Sequence, residues 1–166
     1  MCRTRDQVEA ALLPDPAIDE LILDFLEVHG LKEACQAVRH AGRHLIVAAP
    51  RILKPGEERL VRYLCRLEPD ALLVRSAGLL QRLIALGGPG ALLEDGETPI
   101  PALHGDFSLN AANVLSVTRL LELGTARLAL THDLNAHQAA ALAGALPAEH
   151  RASLELIAHH HLPIFH

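Results

Sequence analysis

The sequence predicts an α/β protein made of repeated strand–helix units, which we interpret as an incomplete TIM-type barrel with about six parallel strands. Three observations support this fold class. Short apolar runs suited to buried strands recur along the chain, the stretches between them show helical periodicity, and each strand–helix unit takes about 25 residues. Such regular alternation indicates right-handed crossovers and hence a parallel sheet.

The elements follow one another in a regular order. The predicted strands cover residues 20–28, 44–50, 71–76, 100–106, 127–133 and 153–160. The predicted helices cover residues 6–13, 31–42, 56–67, 78–86, 110–124 and 135–146. The candidate N-caps of these helices are Thr4, Asn110 and Asn135. Pro55 is a helix start signal, and Gly42 and Gly124 are helix stop signals.

A barrel is favoured over an open nucleotide-binding sheet because the Gly-rich first turn of such sheets is missing. The Gly-rich stretch at residues 87–90 follows a predicted helix, so we interpret it as a loop. A closed barrel of this type has eight strands in roughly 250 residues. Six strands in 166 residues predict most of a barrel, and we expect residues 1–166 to form a single partial βα-barrel domain.

Composition narrows the function classes. The net charge of −5 gives no general basic surface for nucleic acid, although a local patch stays open, and no Trp, one Tyr and three Phe leave few rings for base stacking. No apolar run reaches the roughly 18 residues that a membrane span needs, and the first residues lack the form of a signal peptide. We therefore expect a cytoplasmic protein with no membrane partner.

Polar residues are frequent at the carboxyl ends of the predicted strands, where barrel enzymes place their working groups. They are Glu27, His29, Arg51, Lys54, Arg75, Ser76, His104, Asp106, Ser108, His132, Asp133 and His159 to His161. Arg51 and Arg75, with Lys54, are the best candidates for an anion site because a guanidinium offers a bidentate fork to carboxylate or phosphate. The alternative is a set of ion pairs with Glu27, Asp24 or Glu57.

Metal and nucleophilic chemistry also remain open from the residues alone. By strand alternation His159 and His161 share one face, and Asp106 or Asp133 could complete a metal site with them, but we expect no metal to be held by this chain. The chain has no Gly-x-Ser-x-Gly elbow. Candidate nucleophiles without such an elbow are Ser76, Ser108 and Thr131.

Several stretches together resemble a known family. They are "LDFLEVHGLKEA", "VAAPRILKPGEE", "VRSAGLLQRL", "HGDFSLNAANVLS", "THDLNAHQ" and "HHHLPIFH", of which residues 105–113, 133–138 and 161–166 are the most specific. The chain resembles the collagenase-like peptidases of unassigned mechanism, peptidase family thirty-two. Within it, the resemblance is greatest to the branch tied to oxygen-independent hydroxylation of ribosomal RNA, and it covers nearly the whole chain.

The resemblance implies a βα barrel and, for the longer family protein, an iron–sulfur cluster held by cysteines. In that branch the segment matching residues 161–166 leads into a Glu-His-Cys element, so we expect this chain to be clipped at both ends and its cluster ligands to lie beyond His166. Cys2, Cys35 and Cys65 fall on separate elements with no Cys-x-x-Cys pair, so no cluster is expected on this chain alone. Unpaired edges of an incomplete barrel would favour self-association.

The family motifs also suggest site residues. The resemblance implies catalytic roles for Asp106, Asn110, Asn113, Asp133, Asn135, Glu155, His161 and His166, with Arg51 and Arg75 holding an anionic group. Carboxylates and amides would orient a polar substrate and histidines would relay protons, whereas the structural alternative for Asn110 is a helix N-cap. The implied partner is ribosomal RNA. The alternatives are a genuine peptidase acting on a peptide and a non-catalytic scaffold.

Overall fold

A single parallel sheet organises the protein. The computed structural model describes residues 1–13, 18–54 and 56–159. The strands of the sheet are β1 (Glu20–Leu23), β2 (His44–Ala48), β3 (Ala71–Val74), β4 (Ala102–Gly105), β5 (Thr125–Ala129) and β6 (Leu154–Glu155). Each strand pairs in parallel with the next one along the chain, in the order β1-β2-β3-β4-β5-β6. The predicted incomplete barrel with about six parallel strands is therefore confirmed.

Helices alternate with these strands. They are α1 (Arg5–Ala11), α2 (Leu31–His40), α3 (Glu58–Arg66), α4 (Ala77–Ala85), α5 (Val114–Glu122), α6 (Ala136–Ala145) and α7 (Ala148–Ala152), with a short 3₁₀ helix at Phe107–Leu109. Thr4 and Asn135 cap α1 and α6 as predicted, through side-chain oxygens that accept backbone N–H groups. Gly42 and Gly124 follow α2 and α5 with φ of 65° and 98°, which confirms the predicted stops. The predicted start signal at Pro55 lies outside the described residues.

The predicted helix over residues 110–124 begins later than expected. Asn110 ends the 3₁₀ helix in the left-handed region at φ 57°, which Asn tolerates better than most residues, so it is not the N-cap of α5. Asn113 is the cap instead: its side chain accepts from the Ser116 N–H, and the Asn113 N–H donates to the Ser116 Oγ.

All six strands are shorter than predicted, β1 and β6 by the most, and one helix was missed. β1 ends at Leu23 rather than at residue 28, because the chain leaves the sheet at Asp24 to form a loop beside the carboxyl edge. β6 has only two residues, and α7, a five-residue helix between α6 and β6, shows no apolar periodicity in sequence. A helix of this length is too short for an apolar periodicity to be recognised in its sequence.

The sheet packs its outer face against the helices. Leu23, Leu45 and Leu103 are fully buried there, in a core shared with α2, α3 and α4. The concave face carries a smaller apolar group of Ile46, Ala71 and Leu73 together with charged side chains. Gly105 of β4 has no room for a side chain, because a Cβ there would contact Leu128 and Leu109.

The sheet is curled, and one of its edges is partly covered. Arg127 of β5 contacts the carboxylate of Glu20 of β1, so side chains from strands four places apart meet across the concave face. At the outer edge of β1, the Cys2 N–H donates to the Ile22 carbonyl and the Asp24 N–H donates to the Cys2 carbonyl, at 2.7 and 2.8 Å. Among the described residues, no helix has the length and apolar content to span a membrane.

Candidate anion-binding site at the carboxyl edge of the sheet

A cavity of about 420 Å³ opens at the carboxyl ends of β1, β2 and β3. A volume in this range is typical of small-ligand sites. Its charged lining residues are Arg3, Asp24, Glu27, Arg51 and Arg75, and its apolar walls come from the loops after β1 and β2 and from α3. Because three arginines face two carboxylates there, the cavity is positively charged although the whole chain is negative. This cavity is the strongest candidate site in the described part of the chain.

Arg75, directly after β3, lies between two carboxylates. Its Nη1 is 2.8 Å from Asp24 Oδ1, its Nε is 3.9 Å from Asp106 Oδ2, and its side chain is only 10% exposed. The ion-pair alternative for Arg75 is thus observed with Asp24. Within the described part of the chain the buried Arg75 Nε makes no hydrogen bond, so the donors of this guanidinium are not all used by the protein.

Asp24 stays ionised in this setting. Burial raises the pKa of its carboxyl group, but the hydrogen bond and charge of Arg75, with the charge of Arg3 at 3.4 Å, outweigh burial and hold the pKa below the ordinary 3.8. A carboxylate so paired is a poor proton donor near neutral pH. Its evident role is to fix the Arg75 guanidinium.

Arg51, in the loop after β2, is held by an aromatic ring. Its guanidinium carbon lies 5.2 Å from the centroid of the Phe107 ring, within the range of a cation–π contact. Phe107 in turn lies against the His132 ring, with centroids 4.0 Å apart and planes tilted by 39°. Arg51 and Arg75 both line this cavity.

The segment after β4 connects to both arginines. The Ser108 Oγ lies 2.8 Å from Asp106 Oδ2 and 2.8 Å from the Arg75 carbonyl oxygen. Asp106 is only 3% exposed and faces the Arg75 Nε. Of the predicted catalytic residues in the described part of the chain, Asp106 is the one that the structure brings next to Arg75.

The other predicted site residues are dispersed. Asn113 and Asn135 are exposed helix N-caps, Asn110 is exposed at the end of the 3₁₀ helix, and the exposed Asp133 accepts from the Thr131 hydroxyl at 3.1 Å. His161 and His166, like His160, lie outside the described residues.

Glu155 belongs to a second polar cluster, on the concave face. Arg127 Nη1 is 2.7 Å from Glu155 Oε1, and the Arg127 Nε donates to His104 Nε2 at 3.3 Å. His44 Nδ1 lies 3.1 Å from Glu20 Oε2, which also contacts Arg127 Nη2. Sequence reasoning missed this cluster; its signal was a charged residue or a histidine at an inward position of five of the six strands, all except β3. His104, predicted at a strand end, belongs here instead.

Neither metal nor iron–sulfur ligands converge in the described part of the chain. No group of three or more His, Cys, Asp or Glu side chains there is arranged to hold a metal ion. Cys2 lies beside β1 while Cys35 and Cys65 lie in α2 and α3, and burial raises the pKa of each helical thiol to about 11. Cluster ligation requires converging thiolates, so these residues do not fit an iron–sulfur cluster.

Comparison with known proteins places the fold. No family model matches the chain, and no curated protein matches it. One solved structure, described as the U32 peptidase Mk0906, is similar with a TM-score of 0.63 at 15% sequence identity, over 93% of this chain. The match covers 64% of the neighbour's chain, so this chain spans less than two thirds of its length. The fold is thus similar to that of a peptidase of family thirty-two.

Proposed function

We propose that this chain forms the substrate-binding part of a collagenase-like-peptidase-type barrel whose parent protein acts in oxygen-independent hydroxylation of ribosomal RNA. The observation that carries the proposal is the cavity at the carboxyl edge, where Arg51 and Arg75 meet in an otherwise acidic chain. The motifs of residues 105–113 and 133–138 and the likeness to the U32 peptidase fold support the family reading. Arginine forks are well suited to a backbone phosphate of single-stranded RNA.

The proposal gives this chain the task of binding and orienting. Asp24 and Asp106 hold Arg75, and the two arginines bind a phosphate. The bases would contact the exposed apolar side chains at the mouth of the cavity, Leu26 and Val28. Because the cysteines present do not fit a cluster, no redox step is assigned to this chain. We propose that cysteines following His166 in the parent protein hold the cluster that supplies the redox step.

The cellular function is tested by deleting the encoding gene and digesting ribosomal RNA to nucleosides for mass spectrometry. Loss of one nucleoside heavier by a single oxygen, and its return on complementation with the full gene, is the expected result. An unchanged nucleoside profile would overturn the RNA-hydroxylation function.

The site is tested by binding of a fluorescent ribosomal RNA hairpin to the protein over a salt series. Arg51→Ala should weaken binding and lower the slope of log K against log salt by about one, because one phosphate contact is lost. Arg119→Ala is the matched control, since Arg119 is an exposed arginine on α5, outside the cavity lining. Equal binding by the two variants would rule out this cavity as the RNA site.

A peptide substrate is the second candidate, and a specific observation favours it. Leu26, Val28 and Ile52, which follow β1 and β2, are 96%, 53% and 74% exposed next to the arginines. An apolar rim above a guanidinium suits a peptide that ends in an apolar residue and a carboxylate. Cleavage of such peptides by the parent protein, lost in Arg51→Ala, would favour a peptidase; absence of cleavage would reject it.

A scaffold role is the remaining alternative. It predicts a stable chain that binds neither RNA nor peptide.

We further propose that the chain self-associates through its sheet edges, because unpaired strand edges are templates for pairing. Size-exclusion chromatography with light scattering tests this: a concentration-dependent increase in mass supports self-association, and a monomer at all concentrations contradicts it.

A further inference from the structure

Arg51 and Arg75 differ in how they are held at the cavity. Arg75 is nearly buried and fixed by carboxylates. Arg51 is exposed, and the described part of the chain provides no carboxylate within ion-pair distance of it. A free arginine side chain carries about 2 kcal/mol of rotamer entropy, which binding an anion would otherwise have to overcome. Its contact with Phe107 therefore has a functional consequence.

The geometry points to Phe107 as a positioning residue that holds the Arg51 guanidinium ready for an anion; this inference rests on the anion site of the proposed function. The guanidinium carbon lies over the ring, 5.2 Å from its centroid. In general, a guanidinium that stacks on an aromatic face keeps its N–H edges free for an anion. Phe107 does not need to touch the ligand. It acts by reducing the conformations that Arg51 loses when the anion binds.

The neighbours of Phe107 strengthen the inference. Asp106 faces the Arg75 Nε, and Ser108 bonds to both Asp106 and the Arg75 carbonyl, so the residues on either side of Phe107 hold the second arginine. Three consecutive residues after β4 thus position two arginines that come from β2 and β3. This gives a physical role to the "GDFSLN" motif, residues 105–110: Gly105 admits close packing beneath the turn, and Asn110 ends it at positive φ.

The Phe107 ring also contacts a second ring. His132, after β5, lies 4.0 Å from Phe107 between ring centroids. Residues following β2, β4 and β5 therefore meet at one ring, because Arg51 and His132 both lie against Phe107. The contact with His132 helps to hold the Phe107 ring in place.

The test measures the Kd of inorganic phosphate by calorimetry at low salt, with acetate as a parallel probe for carboxylates. Phe107→Leu keeps the apolar bulk and removes the π face, so phosphate binding should weaken roughly three- to tenfold. Phe107→Tyr keeps the face and should stay within roughly twofold of the wild type. Circular dichroism establishes that each variant is folded, and Phe107→Met replaces Phe107→Leu if the latter fails to fold.

A double-mutant cycle separates positioning from a merely structural effect. In an Arg51→Ala background, Phe107→Leu should cause no further loss of phosphate affinity, because the group it positions is absent. An equal loss in both backgrounds, or no loss in the wild-type background, would overturn the role of Phe107. If the wild-type protein binds neither phosphate nor acetate, the anion site itself fails, which is a different result from the failure of Phe107 alone.

Discussion

Two arginines of this protein each lie between two carboxylates, with opposite consequences. Arg127 on the concave face uses all three guanidinium nitrogens, on Glu20, His104 and Glu155. Its hydrogen-bonding capacity is committed to side chains of β1, β4 and β6, so it braces the curled sheet. The cavity at the carboxyl edge has no residue of this cluster in its lining.

Arg75 at the carboxyl edge uses only some of its guanidinium nitrogens in hydrogen bonds with other side chains. Its Nη1 is paired with Asp24, while its buried Nε makes no hydrogen bond in the described part of the chain and has Asp106 at 3.9 Å. The Arg75 side chain also lines a cavity of about 420 Å³. The position of an arginine between two carboxylates therefore does not by itself indicate whether its role is structural or ligand-binding. What distinguishes the two is whether donors and space remain for a ligand.

The largest expected effect is the loss of stability when the ion pairs of Arg127 are removed. Arg127→Met leaves the carboxylates of Glu20 and Glu155 without their shared cation, and the free energy of unfolding should fall by about 2 kcal/mol, between the values for exposed and buried ion pairs. Urea denaturation measures it. Arg119→Met, which breaks an exposed pair with Glu122, should cost less than about 0.5 kcal/mol. Similar losses in the two variants would mean that Arg127 braces nothing.

The second prediction concerns pH. Burial, and then the charge of Arg127, lowers the pKa of His104 from 6.5 to about 4, against the opposing effect of Glu20. The unfolded chain therefore binds a proton at higher pH than the folded chain, and stability is fully present above pH 6.5 and lost as pH falls towards 4. His104→Gln should remove about 2 kcal/mol of this dependence. Denaturation at several pH values checks it.

The two regions respond to acid in different windows. Because Arg75 holds the pKa of Asp24 below 3.8, the stability contributed by Asp24 is present above that pH and lost only beneath it. A wild-type stability that stays flat between pH 6.5 and 4 would contradict the assignment of a neutral, buried His104.

The third prediction asks whether the amides near the site are structural. Asn113→Ala should lower the free energy of unfolding by about 1 kcal/mol because the cap of α5 is lost, while Asn113→Asp should retain the cap. Thermal denaturation distinguishes them. If the parent protein with Asn113→Asp is as stable as the wild type but inactive, Asn113 has the catalytic role that the family motif implies.

The smallest expected effect is on phosphate affinity, when a carboxylate next to Arg75 or Arg127 is neutralised. Asp24→Asn removes a negative charge from the cavity, so phosphate binding should strengthen by roughly two- to fivefold. Glu20→Gln removes a carboxylate next to Arg127 and should leave phosphate binding unchanged. Calorimetry of the folded variants measures both. Weaker binding in Asp24→Asn would show that holding Arg75 in place matters more than the charge of Asp24.

Much of the fold was open to sequence reasoning, because the period of apolar residues and the helix end signals are local properties. The order of strands and helices, the caps at Thr4 and Asn135, and the placement of Arg51 and Arg75 at one edge all follow from such patterns. Element ends were less accurate at the turn of residues 106–110. There Asn110 takes a left-handed conformation, and the cap passes to Asn113.

By itself the sequence determined the class of fold, because alternating periodicities leave a parallel βα arrangement as the regular solution. Only the tertiary structure decided which charged residues meet. Asp24 with Arg75, Phe107 with Arg51 and Arg127 with Glu20 are contacts between residues far apart in the chain, and they depend on strand register and on the curl of the sheet. A one-residue change of register would turn the strand residues Glu20 and Arg127 to the opposite face of the sheet.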